Sequence, residues 1–261
     1  MANEILKITN VAKAFGAHKV LNDVTFSIGK GEIVGLLGPN GSGKSTLLSV
    51  ISGFIPANGG SVRFEGRELL GRPAHKVAHE GLMRTFQLPS MPSRMTPREL
   101  IASGARSKLG LAGVLFRAAL HGDEVEAALK RFALETVADI PASALSGGQK
   151  KLLSMAVALQ GKPRLLCLDE PTAGVHPNLR HRMVEILRDV AAKGVTILIV
   201  EHDMFFVRGI CDRCVVLDAG TIIADCKPDT LTENQRVVEA YLGKAKVGKT
   251  KLGKAKVGFV A

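Results

Sequence analysis

The sequence predicts an α/β fold, in which a twisted and mostly parallel sheet is interrupted by a helical insertion. Apolar segments such as Ile33–Leu37 and residues 165–168 have the composition of parallel strands that are buried on both faces. Segments of helical composition follow these strands, so strands and helices alternate along the chain. Between residues 96 and 139 the alternation stops, and the stretch is rich in Ala, Arg and Glu at helical spacing. Alternation on both sides of this stretch predicts one layered domain with an inserted helical subdomain.

The first half of the chain contains the β-rich elements. Residues 5–28 show short β-like segments, which predict an antiparallel N-terminal subdomain. The strand at Ile33–Leu37 leads into a glycine-rich loop, and residues 44–52 follow with helical composition. Gly53 ends this predicted helix. Residues 60–66 resemble one arm of a hairpin.

The second half repeats the strand and helix alternation. A helix is expected after Ser146, a strand at residues 165–168, a helix at Pro177–Ala192 and a strand at residues 195–200. These elements predict one domain at residues 1–243, with the helical subdomain inserted at about residues 96–160. The sequence Gly-Lys-Ala-Lys-Val-Gly occurs twice after residue 242, so residues 244–261 are expected to form a basic, low-complexity and disordered tail.

Composition limits the possible classes of protein. The chain has 261 residues, 46% of them hydrophobic, which excludes a disordered chain and a small disulfide-stapled protein. Its net charge of +11 favours an anionic partner, although six lysines after Gly243 contribute more than half of it. No apolar run reaches the ~20 residues that cross a bilayer, and the N-terminus lacks the pattern of a secretory signal. We therefore expect a cytoplasmic protein whose membrane role comes from docking on a partner.

A glycine-rich loop at residues 38–45 fits the pattern G-x-x-x-x-G-K-[ST] between a predicted strand and a predicted helix. Its backbone N–H groups and the following helix would surround a β-phosphate, Lys44 would reach the β and γ oxygens, and the Ser45 hydroxyl would bind Mg²⁺. The alternative is a glycine turn that only opens a helix. The predicted nucleotide-binding residues are Gly38, Pro39, Asn40, Gly41, Ser42, Gly43, Lys44, Ser45 and Thr46.

Two acidic residues, Asp169 and Glu170, end the apolar strand at residues 165–168. Because consecutive strand residues face opposite ways, we expect Asp169 to bind Mg²⁺ through water and Glu170 to polarise an attacking water. Paired acids at a strand end also occur as helix caps or solvated charges.

A second phosphate-facing helix start is predicted at Leu145-Ser-Gly-Gly-Gln149, where Ser146 is a natural N-cap. These five residues match the signature motif of ATP-binding cassette (ABC) ATPases, and the resemblance covers about residues 5–243. It implies a P-loop NTPase core, with ATP and Mg²⁺ as cofactors and hydrolysis of ATP as the reaction. It also implies that Ser146, Gly147, Gly148 and Gln149 contact nucleotide.

The resemblance implies roles for three further residues. Phe15 lies where the family usually stacks an aromatic ring on adenine; the alternative is a core aromatic. Gln87 resembles the glutamine that senses Mg²⁺ and attacking water at the hinge to the helical subdomain; the alternative is a polar loop residue. His202 resembles the histidine that contacts the γ-phosphate; the alternative is a histidine that caps a helix before Asp203.

A narrower resemblance concerns the cargo. Arg84-Thr-Phe-Gln87, the segment before Pro177, and residues 236–243 are similar to the ATPases of branched-chain amino acid uptake systems. Related ATPases for urea or lipid look much alike, so cargo and direction of transport stay open. His176 stands where the wider family commonly has Asp, which puts communication between paired sites in doubt.

The resemblance also implies partners. Two cassettes would face head to tail, as a homodimer or a heterodimer, and would drive an integral membrane permease, which places the subunit on the inner face of the cell membrane. A soluble ABC ATPase for assembly or repair, with the basic tail on nucleic acid, is the alternative. It is disfavoured because the chain has one cassette and no long coiled-coil insertion. The lysine tail is expected to be either a lipid-surface tether or a solvated appendage.

Overall fold

The structure, a computed structural model, describes residues 4–87, 91–104 and 122–242. Ten strands in these ranges form two sheets, a four-stranded sheet of order β2-β1-β4-β5 and a six-stranded sheet of order β10-β9-β3-β8-β7-β6. The strands are β1 (Glu4–Phe15), β2 (His18–Gly29), β3 (Ile33–Leu37), β4 (Gly59–Phe64), β5 (Arg67–Glu68), β6 (Leu82–Arg84), β7 (Leu165–Asp169), β8 (Thr196–Val200), β9 (Arg213–Asp218) and β10 (Thr221–Cys226).

The six-stranded sheet forms the middle layer. Strands β6, β7, β8, β3 and β9 run parallel, and β10 is antiparallel to β9. All five residues of β3 are buried. Val34 and Leu36 face the core shared with the N-terminal sheet, whereas Ile33 and Leu37 face the core shared with the helices. Burial on both faces explains why the central strands have continuous apolar sequences.

The N-terminal sheet is antiparallel, as predicted, but its first two strands are longer than expected. Strands β1 and β2 each have 12 residues and form one hairpin. Its register shifts between Ile8 and Val11, and Asn10 and Asp23 have φ values of 52° and 58°. The side chains of Asn10 and Asp23 are hydrogen-bonded to each other. These bulges break the alternation of apolar and polar residues, so the continuous strands resemble short segments in the sequence.

Helices cover the other face of the central sheet. They are α1 (Lys44–Ile51), α2 (Ala74–His79), α3 (Pro97–Gly104), α4 (Gly122–Arg131), α5 (Gly147–Gln160), α6 (Pro177–Ala192), α7 (Met204–Ile210) and α8 (Gln235–Leu242). Helices α1 and α2 differ from the others because their buried residues belong to the core that contains both sheets. Helices α3 and α4 lie in the predicted insertion and share a core with α5. The predicted tail at residues 244–261 lies outside the described residues.

A search of the described helices for a membrane span found none with the length and apolar character that crossing a bilayer requires. The cysteines Cys211 and Cys214 are buried, and burial together with their mutual contact raises the pKa of the Cys211 thiol. No group of His, Cys, Asp and Glu in the described part of the chain is arranged to hold a metal ion by itself.

Candidate nucleotide-binding site

Four parallel strands end at one edge of the central sheet, and residues predicted for the site follow each of them. The glycine-rich loop follows β3, and Gln87 lies three residues after β6. Asp169 ends β7 with Glu170 next, and His202 lies two residues after β8. Ligands of α/β sheets bind beyond the carboxyl ends of the strands, so the topology assembles these residues at the expected position.

Two glycines of the loop have conformations that other residues avoid. Gly38 has a φ of 146° and Gly43 a φ of 106°. A β-carbon on Gly38 would lie 2.0 Å from the carbonyl oxygen of Leu217, and one on Gly43 would lie 2.9 Å from that of Val20. The loop is therefore pressed against β9 and β2, and only glycine allows both the turn and this close approach.

The ammonium group of Lys44 lies inside the loop. Its Nζ atom donates hydrogen bonds to the carbonyl oxygens of Gly38 at 2.8 Å and Pro39 at 2.9 Å. Burial lowers the pKa of Lys44 below 10.5, and the nearby carboxylates of Glu170 and Asp169 partly oppose this change. The lysine is thus a buried cation with two acidic neighbours at the start of α1.

The donors of the loop fit a polyphosphate. Ser42 Oγ is buried and has no hydrogen-bond partner among the described residues. The N–H groups in the first turn of α1, which starts at Lys44, have no acceptors within the helix. An unpaired buried hydroxyl is costly, so an anion that accepts hydrogen bonds at this position would stabilise the loop.

Asp169 pairs with a buried arginine that the sequence analysis did not assign to the site. Arg84 Nη2 donates to Asp169 Oδ2 at 2.8 Å, and both side chains are only 7% exposed. The other terminal nitrogen of Arg84 donates to the hydroxyl groups of Ser49 at 3.0 Å and Ser52 at 3.2 Å. Arg84 therefore connects β6 and β7 to α1. The sequence contained one signal for this role: Arg84 directly follows the apolar residues of β6.

Glu170 does not continue β7, which corrects the prediction that strand alternation separates the two acids. The strand ends at Asp169, and Glu170 has a φ of 45°. Its N–H group donates to the carbonyl of Val200 at 2.9 Å, and its carbonyl accepts a hydrogen bond from Lys151 Nζ at 2.5 Å. A non-glycine residue rarely adopts this conformation, so these two contacts stabilise a strained turn.

The side chain of Glu170 lies next to two predicted partners. Gln87 Nε2 donates to Glu170 Oε2 at 2.6 Å. The Nδ1 atom of His202 lies 4.0 Å from Glu170 Oε1. The structure therefore brings Gln87, Glu170 and His202 together, although they come from three different strand ends. Gln87 is more than a polar loop residue, because its amide orients the Glu170 carboxylate.

A buried glutamate supports the histidine segment. Glu201 is fully buried, and its Oε1 accepts hydrogen bonds from the backbone N–H of Thr172 at 2.8 Å and from the Thr172 hydroxyl at 2.6 Å. Its Oε2 accepts from the N–H of His202 at 3.1 Å. The sequence analysis missed Glu201, although an acid directly after an apolar strand was a signal. The predicted alternative for His202 was wrong: Asp203 caps α7, accepting from the N–H groups of Phe205 and Phe206.

The signature segment forms the start of α5. Ser146 Oγ accepts from the N–H of Gln149 at 3.3 Å, and the N–H of Ser146 donates to Gln149 Oε1 at 2.9 Å. This capping box confirms the predicted N-cap. A β-carbon on Gly147 would meet no atom within 4 Å, whereas one on Gly148 would contact Leu179 at 3.4 Å. Packing among the described residues therefore gives no reason for glycine at position 147.

Phe15 is the predicted adenine-stacking residue, and its surroundings exclude the alternative of a core aromatic. Its side chain is 52% exposed at the end of β1. The ammonium of Lys13 lies 5.0 Å from the centre of the ring. The second strand of the same hairpin contacts the phosphate loop, where Leu21 lies against Gly43.

The strand, glycine loop and helix hold the buried Lys44 beside two carboxylates. Gln87 and His202 lie next to one of these carboxylates, Glu170, and the three polar side chains can orient a water molecule. This combination can bind a polyphosphate and activate a nucleophile, and it is typical of nucleoside triphosphatases with a phosphate-binding loop. The model of the ABC transporter family matches residues 21–173. The chain belongs to this family and is an ATP-binding and ATP-hydrolysing subunit.

Similarity to individual proteins extends over most of the chain. A protein of Archaeoglobus fulgidus, named "Probable branched-chain amino acid transport ATP-binding protein LivG", is 39% identical over 92% of this chain and 96% of its own length. The Nod factor export ATP-binding protein I of Bradyrhizobium diazoefficiens is 37% identical over 93% of this chain and 78% of its own. A crystal structure of the ADP conformation of an ABC transporter cassette matches with a TM-score of 0.78 and 36% identity, covering 92% of this chain and 99% of that one.

Proposed function

We propose that this ATPase powers a membrane permease that moves branched-chain or related amino acids. The observation that supports this cargo is the near full-length match to the Archaeoglobus fulgidus protein, which is named for branched-chain amino acid transport. The Nod factor export protein is almost as similar in identity but contains a further part outside the match. Amino acids are therefore the favoured cargo, and a different, exported cargo is the second candidate.

Transport by the reconstituted complex tests the cargo. The subunit is purified from membranes together with the permease that binds it, and the complex is placed in liposomes. We expect ATP to drive transport of labelled leucine, isoleucine or valine. Transport of urea or lipid should be much slower. Movement of urea or lipid alone would contradict the amino-acid proposal. Recovery of the chain with nucleic acid and no permease would favour the soluble alternative.

The site geometry supports roles at the triphosphate for the residues whose contacts are described above. We assign the phosphate contacts to the loop amides and Lys44, and the attacking water to Glu170 with Gln87 and His202 beside it. Mg²⁺ fits the donor set, because hydroxyl, carboxylate and amide oxygens are ligands that this hard cation accepts together with phosphate and water. Ser45, Asp169 and Gln87 would hold it, and it would neutralise charge that develops on the phosphates. Arg84 donates to Asp169 Oδ2, so Oδ1 is the oxygen of this side chain that would be available for holding the ion.

A second cassette would complete the site. The capping box uses the N–H groups of Ser146 and Gln149, which leaves those of Gly147 and Gly148 as the donors at the start of α5. Gly147 has open space around its Cα, which allows close approach by a group outside the chain. We therefore propose a head-to-tail dimer in which this helix start faces the γ-phosphate bound by the other copy.

The His202→Ala variant tests the assignment of the histidine. We expect the rate of ATP hydrolysis to fall about 10²-fold or more, because His202 lies beside Glu170, the proposed base. ATP affinity should change by less than about threefold, because His202 is not part of the phosphate loop. Steady-state hydrolysis and equilibrium binding of ATP measure the two quantities. A larger loss of affinity than of turnover would contradict the assignment, and His181→Ala on α6 is the matched control.

An exposed aromatic pair is the proposed contact with the permease. Phe54 and Phe86 are 52% and 43% exposed, and their rings pack edge to face with centres 5.2 Å apart. The guanidinium of Arg84 lies 5.7 Å and 5.0 Å from the two ring centres and pairs with Asp169. Phe86 also directly precedes Gln87. The aromatic pair is thus connected to Asp169 through Arg84 and to Gln87 through the backbone. An apolar surface with these two connections to the site is suited to bind an apolar partner and to transmit its movement.

Replacing both rings tests this contact. We expect Phe54→Ser with Phe86→Ser to reduce binding of the subunit to its permease at least about tenfold, while ATP hydrolysis by the isolated subunit stays within about threefold of wild type. Pull-down with purified permease in detergent measures binding. Phe205→Ser, at an 82% exposed phenylalanine outside the pair, is the control. Unchanged binding by the double variant would rule out this surface.

A further inference from the structure

The C-terminal helix contacts the first residue of the phosphate loop. The backbone N–H of Gly38 donates a hydrogen bond to the phenol oxygen of Tyr241 at 2.8 Å. Gly38 is buried, and Tyr241 on α8 is half-buried against the helical core. Burial raises the pKa of Tyr241 to about 12, so the phenol is neutral at physiological pH and accepts this hydrogen bond as an OH group. The two residues are 203 positions apart in the chain.

This contact is one of several that hold the loop from outside. The β9–β10 turn provides a second, because the N–H of Gly220 donates to the carbonyl of Ser42 at 3.0 Å. Strand β2 provides a third, where Leu21 lies against Gly43. The turn and strand contacts lie at the helix end of the loop. Tyr241 lies at the strand end, where β3 turns into the loop, and there it accepts a hydrogen bond from the N–H of Gly38, beside the carbonyl of Leu217 on β9.

Helix α8 is itself firmly positioned. Asn234 caps its start, since its side-chain oxygen accepts from the N–H groups of Arg236 at 3.0 Å and Val237 at 3.4 Å. Val237 is 3% exposed and packs into the helical core. The hydrogen bond from Gly38 therefore ends on a side chain whose helix is fixed independently of the loop.

We infer that Tyr241 is a positioning residue for the phosphate loop and links α8 to the occupancy of the nucleotide site. The inference rests on the proposed role of the loop in binding ATP. Removing the phenol oxygen leaves the buried N–H of Gly38 without its acceptor, so the loop loses the conformation that its donors need to surround a phosphate. By reciprocity, a nucleotide that orders the loop also stabilises the contact with α8.

The variant Tyr241→Phe isolates the hydrogen bond, because it keeps the ring and removes only the oxygen. We expect the dissociation constant for ATP to rise about 3- to 10-fold and the turnover number at saturating ATP to stay within about twofold. Exchange of the Gly38 amide proton, followed by NMR, should become faster. Arg236→Ala, at an exposed residue of the same helix, is the matched control: ATP affinity and exchange of the Gly38 amide should equal those of wild type.

The chain provides a built-in probe of the contact, since Tyr241 is its one tyrosine and it has no tryptophan. We expect tyrosine fluorescence to change when ATP binds, after correction for absorption by adenine. ATP affinity of Tyr241→Phe equal to wild type, an equal loss of affinity in Arg236→Ala, or unchanged tyrosine emission at saturating ATP would each overturn the inference. Failure of the wild-type chain to bind ATP would instead overturn the proposed function.

Discussion

Substituting Glu170 by glutamine should reduce ATP hydrolysis about 10²- to 10⁴-fold while ATP affinity stays within about twofold of wild type. The amide keeps the shape of the side chain and can still bond to Gln87, but it cannot accept a proton from water. The backbone of Glu170 is held by Val200 and Lys151, contacts that the substitution does not touch. The loss should therefore be chemical and not structural.

Release of phosphate and equilibrium binding of ATP measure the two quantities separately. Glu233→Gln makes the same chemical change at an exposed residue before α8 and should hydrolyse ATP at the wild-type rate. A Glu170→Gln variant that hydrolyses ATP at an unchanged rate would show that another group activates the water. A variant that loses ATP affinity would show that Glu170 acts in binding.

Features determined by neighbouring residues were predictable from the sequence. The strand, loop and helix around Lys44 are contiguous, and the glycines that allow the turn lie within the same segment. The N-cap at Ser146 was predictable for the same reason, because its partner Gln149 is three residues away. In both cases local chemistry determines the conformation, and tertiary packing only preserves it.

Contacts between distant residues that no motif marks were not predictable. Arg84 meets Asp169 across 85 positions, and Glu201 meets Thr172 across 29. The turn at Glu170 was missed because nothing in the sequence indicates that the strand stops at Asp169 and that Glu170 already belongs to a turn. Such contacts follow from sheet order and register, which a single sequence does not specify.

Substituting Lys44 by alanine should reduce ATP affinity about 10²-fold or more. The ammonium can make charge-assisted hydrogen bonds to phosphate oxygens, and each such bond contributes about 1.5–3 kcal/mol. In the structure the same nitrogen bonds to the carbonyl oxygens of Gly38 and Pro39, so it already lies inside the loop. Binding of ATP measured by calorimetry or with a fluorescent analogue tests this. Lys76→Ala, at an exposed lysine on α2, should bind ATP as wild type does.

The pH dependence of ATP binding tests whether the charge of Lys44 is what contributes to ATP affinity. Burial lowers its pKa below 10.5, so the folded, nucleotide-free protein releases this proton at a lower pH than an exposed lysine would. A bound triphosphate favours the protonated amine and raises the pKa again, so ATP binding takes up a proton in this alkaline range. Wild-type affinity should therefore decline as pH rises through the lowered pKa.

The Lys44→Arg variant separates this titration from other effects of pH. It should bind ATP more weakly than wild type at neutral pH, because its planar group fits the loop poorly. It should lose no further affinity in the alkaline range, because the guanidinium stays protonated. An equal alkaline decline in Lys44→Arg and wild type would assign the titration to another group.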